Sequence, residues 1–171
     1  MTPINAVRYA LEAADRNLVI LEDMRDAPLK RPMARGNHPM WILGHLAVTE
    51  GRFHHILVGE PNPVEEWKPM FDWGTEPHDD ASGYPPFEEV VQRYRQLRER
   101  TLQILFDVGE AGLERPTAAP PPGLETILDT FGKTLLTLAS HQSHHCGQAS
   151  VIRKAAGREP FFVPSAALRA S

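Results

Sequence analysis

Three histidines fall within five positions in the run His141-Gln142-Ser143-His144-His145, followed by a thiol at Cys146 and an amide at Gln148. On an α-helix, residues four apart project one turn apart on the same face, so His141 and His145 can grip one metal ion. His144 competes for that role, because it lies about 60° to one side of His141 while His145 lies about 40° to the other. Gln148 and Ile152 continue the side on which His145 stands, which favours His141 with His145. Position 142 is Gln and carries no carboxylate, so the His-Glu-x-x-His arrangement of zinc peptidases is not met.

Two ligands from one helix hold a divalent metal weakly, and a working site needs a third. His45 is the histidine centred on another core-facing helical stripe, which gives a candidate triad of His45, His141 and His145. Three neutral imidazoles leave a tetrahedral ion with one open position, the arrangement of a catalytic rather than a structural site. The competing reading is a set of surface or hydrogen-bonded core histidines. Burying several imidazoles without partners is costly, however, and a shared metal removes that cost.

The neighbouring residues have two readings each. Gln148 either orients a ligand or sits on a polar rim, and it is a candidate supporting residue. Arg52 shares the stripe of His45 about two turns along, and either snorkels outward or holds an anionic substrate group. Cys146 points away from the ligand face and reads as a small packing residue rather than a nucleophile. Glu50 stands about 140° from His45 and should face away, leaving no carboxylate on the ligand stripes. His54 and His55 fall near a helix end, where exposure or contact with the helix dipole is expected. His38 falls at the opposite end of that segment and His78 in a loop. Trp41 reads as core, and Trp67 and Trp73 as pocket wall or ordinary packing.

These residues require helices to position them, and the sequence supplies four. Thr2-Pro3 pairs an N-cap with proline at the first helical position, and Ile4, Val7, Leu11, Ala14, Leu18, Leu21 and Met24 form one stripe that ends near Arg25. A second helix over 39–58 starts behind Asn37 or His38. A third over about 85–108 opens with acids and directs Val90, Val91, Tyr94, Leu97, Thr101, Leu102 and Leu105 inward, with its arginines outside. A fourth over about 124–156 carries Ile127, Phe131, Thr134, Leu138, His141, His145, Gln148 and Ile152 on one stripe and stops at Gly157. Residues 59–84 mix proline, acids and aromatics without a period, which suggests a lid or a pocket edge. No strand pattern or internal repeat interrupts the helices. The expected fold is all-α, an antiparallel four-helix bundle with a long loop between helices 2 and 3, in one domain over 1–171.

Composition narrows the partners. The 171 residues include 22 acidic and 18 basic side chains, so no positive excess exists to neutralise nucleic acid or anionic lipid. The single cysteine rules out an intrachain disulfide and multi-thiolate metal sites, and suits a reducing compartment. The first residues lack a basic and apolar signal, and no apolar run approaches a membrane span. A cytoplasmic protein with a small-molecule substrate, no nucleic acid and no membrane is expected.

The stretch "NHPMWILGHLAVTEGRFHHILVGEP", followed later by "LLTLASHQSHHCGQASVIRKAAGREP", resembles the DinB-like superfamily, the damage-inducible, YfiT-like metalloproteins. The likeness runs from the first helix to Pro160 and is carried by Trp41-x-x-Gly44-His45-Leu46 and His141-x-x-x-His145-x-Gly147-Gln148. The resemblance implies an antiparallel four-helix bundle, a divalent ion such as zinc or nickel on His45, His141 and His145, and frequent homodimers. It also implies relatives that act as thiol-dependent S-transferases or as a thiol-dependent isomerase, using a low-molecular-weight thiol.

Two functions follow as expectations. One is a metal-dependent enzyme, with thiol transfer ahead of metal-dependent hydrolysis because hydrolysis wants a nearby carboxylate base. The other is a non-catalytic module that binds a metal or a small ligand. Imidazole does not separate zinc from nickel, and exposed apolar residues on helix one or three are candidates for a dimer seam.

Overall fold

The structure is a computed structural model and describes residues 1–159; the end of the expected single domain, residues 160–171 with Pro160, lies outside them. Among the described residues every regular element is helical: α1 (Pro3–Ala14), α2 (Arg16–Glu22), α3 (Pro39–Val58), α4 (Lys68–Phe71), α5 (Phe87–Val108) and α6 (Phe131–Ala155), with 3₁₀ turns at Glu65–Trp67, Ala81–Gly83 and Glu110–Gly112. None of these helices is long and apolar enough to cross a membrane.

Capping chemistry sets most boundaries. The Thr2 side chain accepts the Asn5 N–H at 3.4 Å and Pro3 fills the first turn of α1. At α3 the cap is an imidazole: His38 Nδ1 accepts the Trp41 N–H at 3.0 Å ahead of Pro39, and Gly59 closes the helix at φ 76°. Glu88 and Glu89 lie in the first turn of α5.

Two boundaries depart from the apolar pattern. The first stripe is split at Asp15, whose carboxylate is drawn to Arg98 Nε at 2.7 Å and around which the backbone tightens to i→i+3 bonds. The last helix begins at Phe131 rather than near residue 124. Thr117 N–H bonds to Asp129 O at 3.0 Å, and Phe131 N–H to Arg115 O at 3.1 Å, so the backbone of this stretch pairs across the chain and is not free to coil. Leu124 and Ile127 are therefore exposed, and Ile127 does not join the inward stripe.

Pairing residues give the helix directions. Glu50 meets Arg98 and His54 meets Thr101, so α3 and α5 run side by side in the same sense. Asn17 meets Gln142 and Asp23 meets Arg153, so α2 and α6 also run together. His45 meets His141 while Asn37 meets Gln148, which sets α6 against α3. The antiparallel order expected throughout thus applies to α3 with α6, whereas α3 and α5 are parallel neighbours and need a connection that returns along their length. Residues 59–86 provide it. Within them Val64, Trp67, Phe71 and Tyr84 are buried against the α3 side of the core, and Trp73 alone of the tryptophans stands in solvent.

Gly44 and Gly51 make that close approach possible. A Cβ at Gly44 would overlap the Phe71 ring, and one at Gly51 would overlap the Asn62 side chain. With the connection on one side and α5 and α6 on others, α3 is buried nearly all round rather than along one stripe.

The core has two apolar clusters. One gathers α2, the first half of α3, the connection, the first half of α5 and the end of α6; the other gathers α1, the second half of α3, the second half of α5 and the start of α6. Between them runs a polar waist. Arg98, expected outside, is buried there: Nη1 lies 3.2 Å from Glu50, Nη2 donates to Leu11 O at 2.7 Å, and Nε reaches Asp15. Thr101 and Gln142 donate to the same Glu50 carboxylate, and Asn17 donates to the Gln142 carbonyl.

Candidate metal centre

The histidines of interest come from the middle of α3 and from α6, just beyond the waist. His45 is stacked on Trp41 with ring centroids 4.8 Å apart and planes 7° from parallel, and its Nδ1–H donates to the Phe71 carbonyl at 2.8 Å. That carbonyl is within reach because Gly44 admits the Phe71 ring. Trp41 is itself fixed by donating Nε1–H to Thr75 Oγ1 at 3.0 Å. The connection therefore orients His45 from two sides.

On α6, His141 and His145 stand one turn apart with ring centroids 4.6 Å apart. His145 Nδ1–H donates to Gln148 Oε1 at 3.0 Å. Gln148 in turn accepts from Asn37 Nδ2 at 3.4 Å and directs its Nε2–H at His144 Nε2, 3.1 Å away. His45 and His145 are buried and His141 is half-buried.

The three rings converge. His141 Nε2 lies 3.2 Å from the Nε2 of His45 and 3.2 Å from that of His145, and the three possible ligand atoms lie within 4.8 Å of one another. A tetrahedral ion with ~2.0 Å bonds to nitrogen has ligand atoms about 3.3 Å apart, close to both short separations. The protons support the same fit. With Nδ1–H of His45 and His145 committed to acceptors, both Nε2 atoms present lone pairs, and His141 Nε2 can donate to only one of them. A cation satisfies all three, and the Nδ1 donations match the outer hydrogen bonds that hold metal-binding imidazoles. The cluster could hold a metal ion.

Burial keeps these rings neutral. It lowers the pKa of His45 against the raising effect of the Phe71 hydrogen bond, and with the neighbouring histidines it takes His141 down to about 4 and His145 down to about 3. His141 Nδ1 is buried with no hydrogen-bond partner among the described residues, which makes it the least restrained of the three.

The remaining candidates fall elsewhere. Arg52 pairs with the Asp72 carboxylate rather than standing free beside His45. His144 is exposed, with its ring edge-on to His145 at 5.3 Å. His38 is buried as the α3 cap and its Nε2–H donates to the His78 carbonyl at 2.8 Å. His54 is not exposed: it is buried against α5 and donates to Thr101 Oγ1 at 2.9 Å. Cys146 packs half-buried on the core, and burial raises its thiol pKa. Glu50 is turned into the waist.

Sequence reasoning missed Phe71 and Asp72. Burial alone would raise the pKa of Asp72, but hydrogen bonds from Arg52 and from the Trp73 N–H outweigh it and hold the carboxyl below its ordinary value. Neither residue carries a signal in spacing, since one acts through its backbone and both lie where the sequence has no period.

Comparison with known proteins adds one match. A family model described as the DinB superfamily matches residues 10–149, a span that holds His45, His141, His145 and Gln148. No curated protein matches the chain.

Proposed function

The chain belongs to the DinB superfamily, and from that premise and the histidine geometry we propose a divalent-metal-dependent enzyme, with the ion on His45, His141 and His145, that transfers a small thiol to an electrophile. The observation that carries this reading is the commitment of Nδ1–H on His45 and His145, which turns two lone pairs toward His141 Nε2. Zinc and nickel both suit an imidazole set. A bound ion supplies Lewis acidity, which lowers the pKa of a thiol or of water.

The chain's own residues divide the work. Phe71 O and Gln148 orient two of the rings, and burial keeps all three unprotonated and open to a cation at neutral pH. Asp72 favours thiol transfer over hydrolysis, because a carboxylate already paired with Arg52 and held below its usual pKa is a poor proton acceptor. We read the fold as a four-helix bundle, with α1 and α2 as one bent rod and residues 59–86 as the crossover between α3 and α5.

The test is elemental analysis of untagged protein, followed by assay with several thiols and the chromogenic electrophile 1-chloro-2,4-dinitrobenzene. The expected result is a stoichiometric divalent ion and turnover, both lost in a folded His45→Ala variant. Tight metal binding without turnover for any thiol would make the protein a binding module instead. Absence of metal without chelators, and none taken up on addition, would overturn both.

A further inference from the structure

We propose that the cavity between residues 32–37 and the outer face of α6 binds a small anion with an apolar body, and that Arg35 recognises its charge. The cavity has a volume of about 590 Å³, inside the roughly 300–1,000 Å³ range of small-molecule sites. Its apolar wall includes Met33 and Val151, which are 67% and 54% exposed and therefore leave large hydrocarbon surfaces for an occupant to cover.

The charge is specific to this place. Among the described residues Arg35 is the only one of fixed charge lining the cavity, none of them lines it with a carboxylate, and Arg35 makes no hydrogen bond or ion pair with any of them. Its neighbour Arg31 is engaged: Nε lies 2.7 Å from Asp79, and Nη1 and Nη2 donate to Gly36 O at 3.2 Å and Pro77 O at 2.5 Å. Arg31 thereby fixes the wall that carries Arg35 and does not compete for the ligand. A guanidinium beside an apolar wall, with no acid among the described lining residues, suits a carboxylate or a sulfonate on a hydrocarbon body and opposes a cation.

The cavity also touches the histidine cluster. Gln148 lines it and accepts the Nδ1–H of His145, and His144 lines it with its ring against His145, so an occupant lies one side chain from the candidate ligands. That such an occupant is the substrate of the metal centre rests on the function proposed above; that the cavity binds an apolar anion does not.

The experiment titrates the full-length, metal-free chain calorimetrically with octanoate, 1-octanol and octylamine, so that no carboxylate can be held by a metal. Octanoate is expected to bind most tightly and octylamine most weakly. Arg35→Gln should weaken octanoate about tenfold, the loss of one charge-assisted contact, and leave octanol unchanged. Val151→Ser should weaken both. The proposal is overturned if octanoate shows no saturable binding, if Arg35→Gln leaves its affinity unchanged, or if octylamine binds as tightly. Zinc titration of the same wild-type and Arg35→Gln samples keeps the two ideas apart: equal zinc affinity is expected, and a failure to bind zinc would overturn the metal reading while the octanoate result stands.

Discussion

At the scale of single residues, the acceptors behind the imidazoles decide how well the cluster is held. Gln148 restrains His145 through Nδ1, as the Phe71 carbonyl restrains His45, while His141 lacks a partner there. Gln148→Leu keeps the side-chain volume but removes the acceptor, so zinc affinity should fall about 10–100-fold with the helix content unchanged. Competition against a chromophoric chelator measures this, and an unchanged affinity would show that ring packing alone orients His145. The i, i+4 spacing was enough to put His141 and His145 on one helix face, and an apolar stripe was enough to turn His45 inward. Nothing in spacing could reveal the Phe71 carbonyl, because a backbone acceptor has no residue type. The burial of His54 is hidden in the sequence, because a position near a helix end suggests exposure, whereas α3 is enclosed on nearly every side.

Among the elements, α3 and α5 were legible over most of their length because proline, acids and glycine mark their ends. The start of α6 was not, because an apolar stripe continues through Ile127 while the backbone of 129–131 is engaged by residues 115–117. The parallel run of α3 and α5 was also hidden, since a long aperiodic connection has the same composition whether it is a lid or a crossover. The arginines of α5 look alike in sequence, yet Arg98 alone of them enters the waist, where Glu50 is fully buried and its carboxyl is pushed above the ordinary value by that burial against the pull of Arg98. Arg98→Met should therefore cost about 3–5 kcal/mol, because it strands a buried acid rather than simply deleting one contact. The double variant Arg98→Met with Glu50→Leu should recover most of the loss in urea unfolding. If the double variant is as unstable as the sum of the two single changes, the pair is not coupled in the way its 3.2 Å separation implies.

Over the whole molecule, histidines at the start of α3 and along α3 and α6 are held neutral by burial, and this makes acid the natural stress. His38, His45, His54, His141 and His145 all have pKa values lowered chiefly by burial, so the unfolded chain takes up protons that the folded chain refuses. For a lowered histidine the sign is fixed: stability is complete above the unfolded value of about 6.5 and is lost as pH falls from there toward the folded pKa. His54 isolates the effect, since it lies away from the metal cluster and is lowered to about 4 by burial. Its share of the stability lost between pH 7 and pH 5 is about 2 kcal/mol. Glu50 acts in the opposite sense, because a raised carboxyl takes its proton more readily in the folded state. His54→Gln can still donate to Thr101 but cannot charge, so metal-free protein carrying it should lose about 2 kcal/mol less than wild type across that interval, measured by urea unfolding at the two pH values. Glu50 is present in both proteins and cancels in the difference. Equal losses in the two would mean that the acid sensitivity comes from other groups, and that the histidine beside Thr101 can be protonated without leaving the fold.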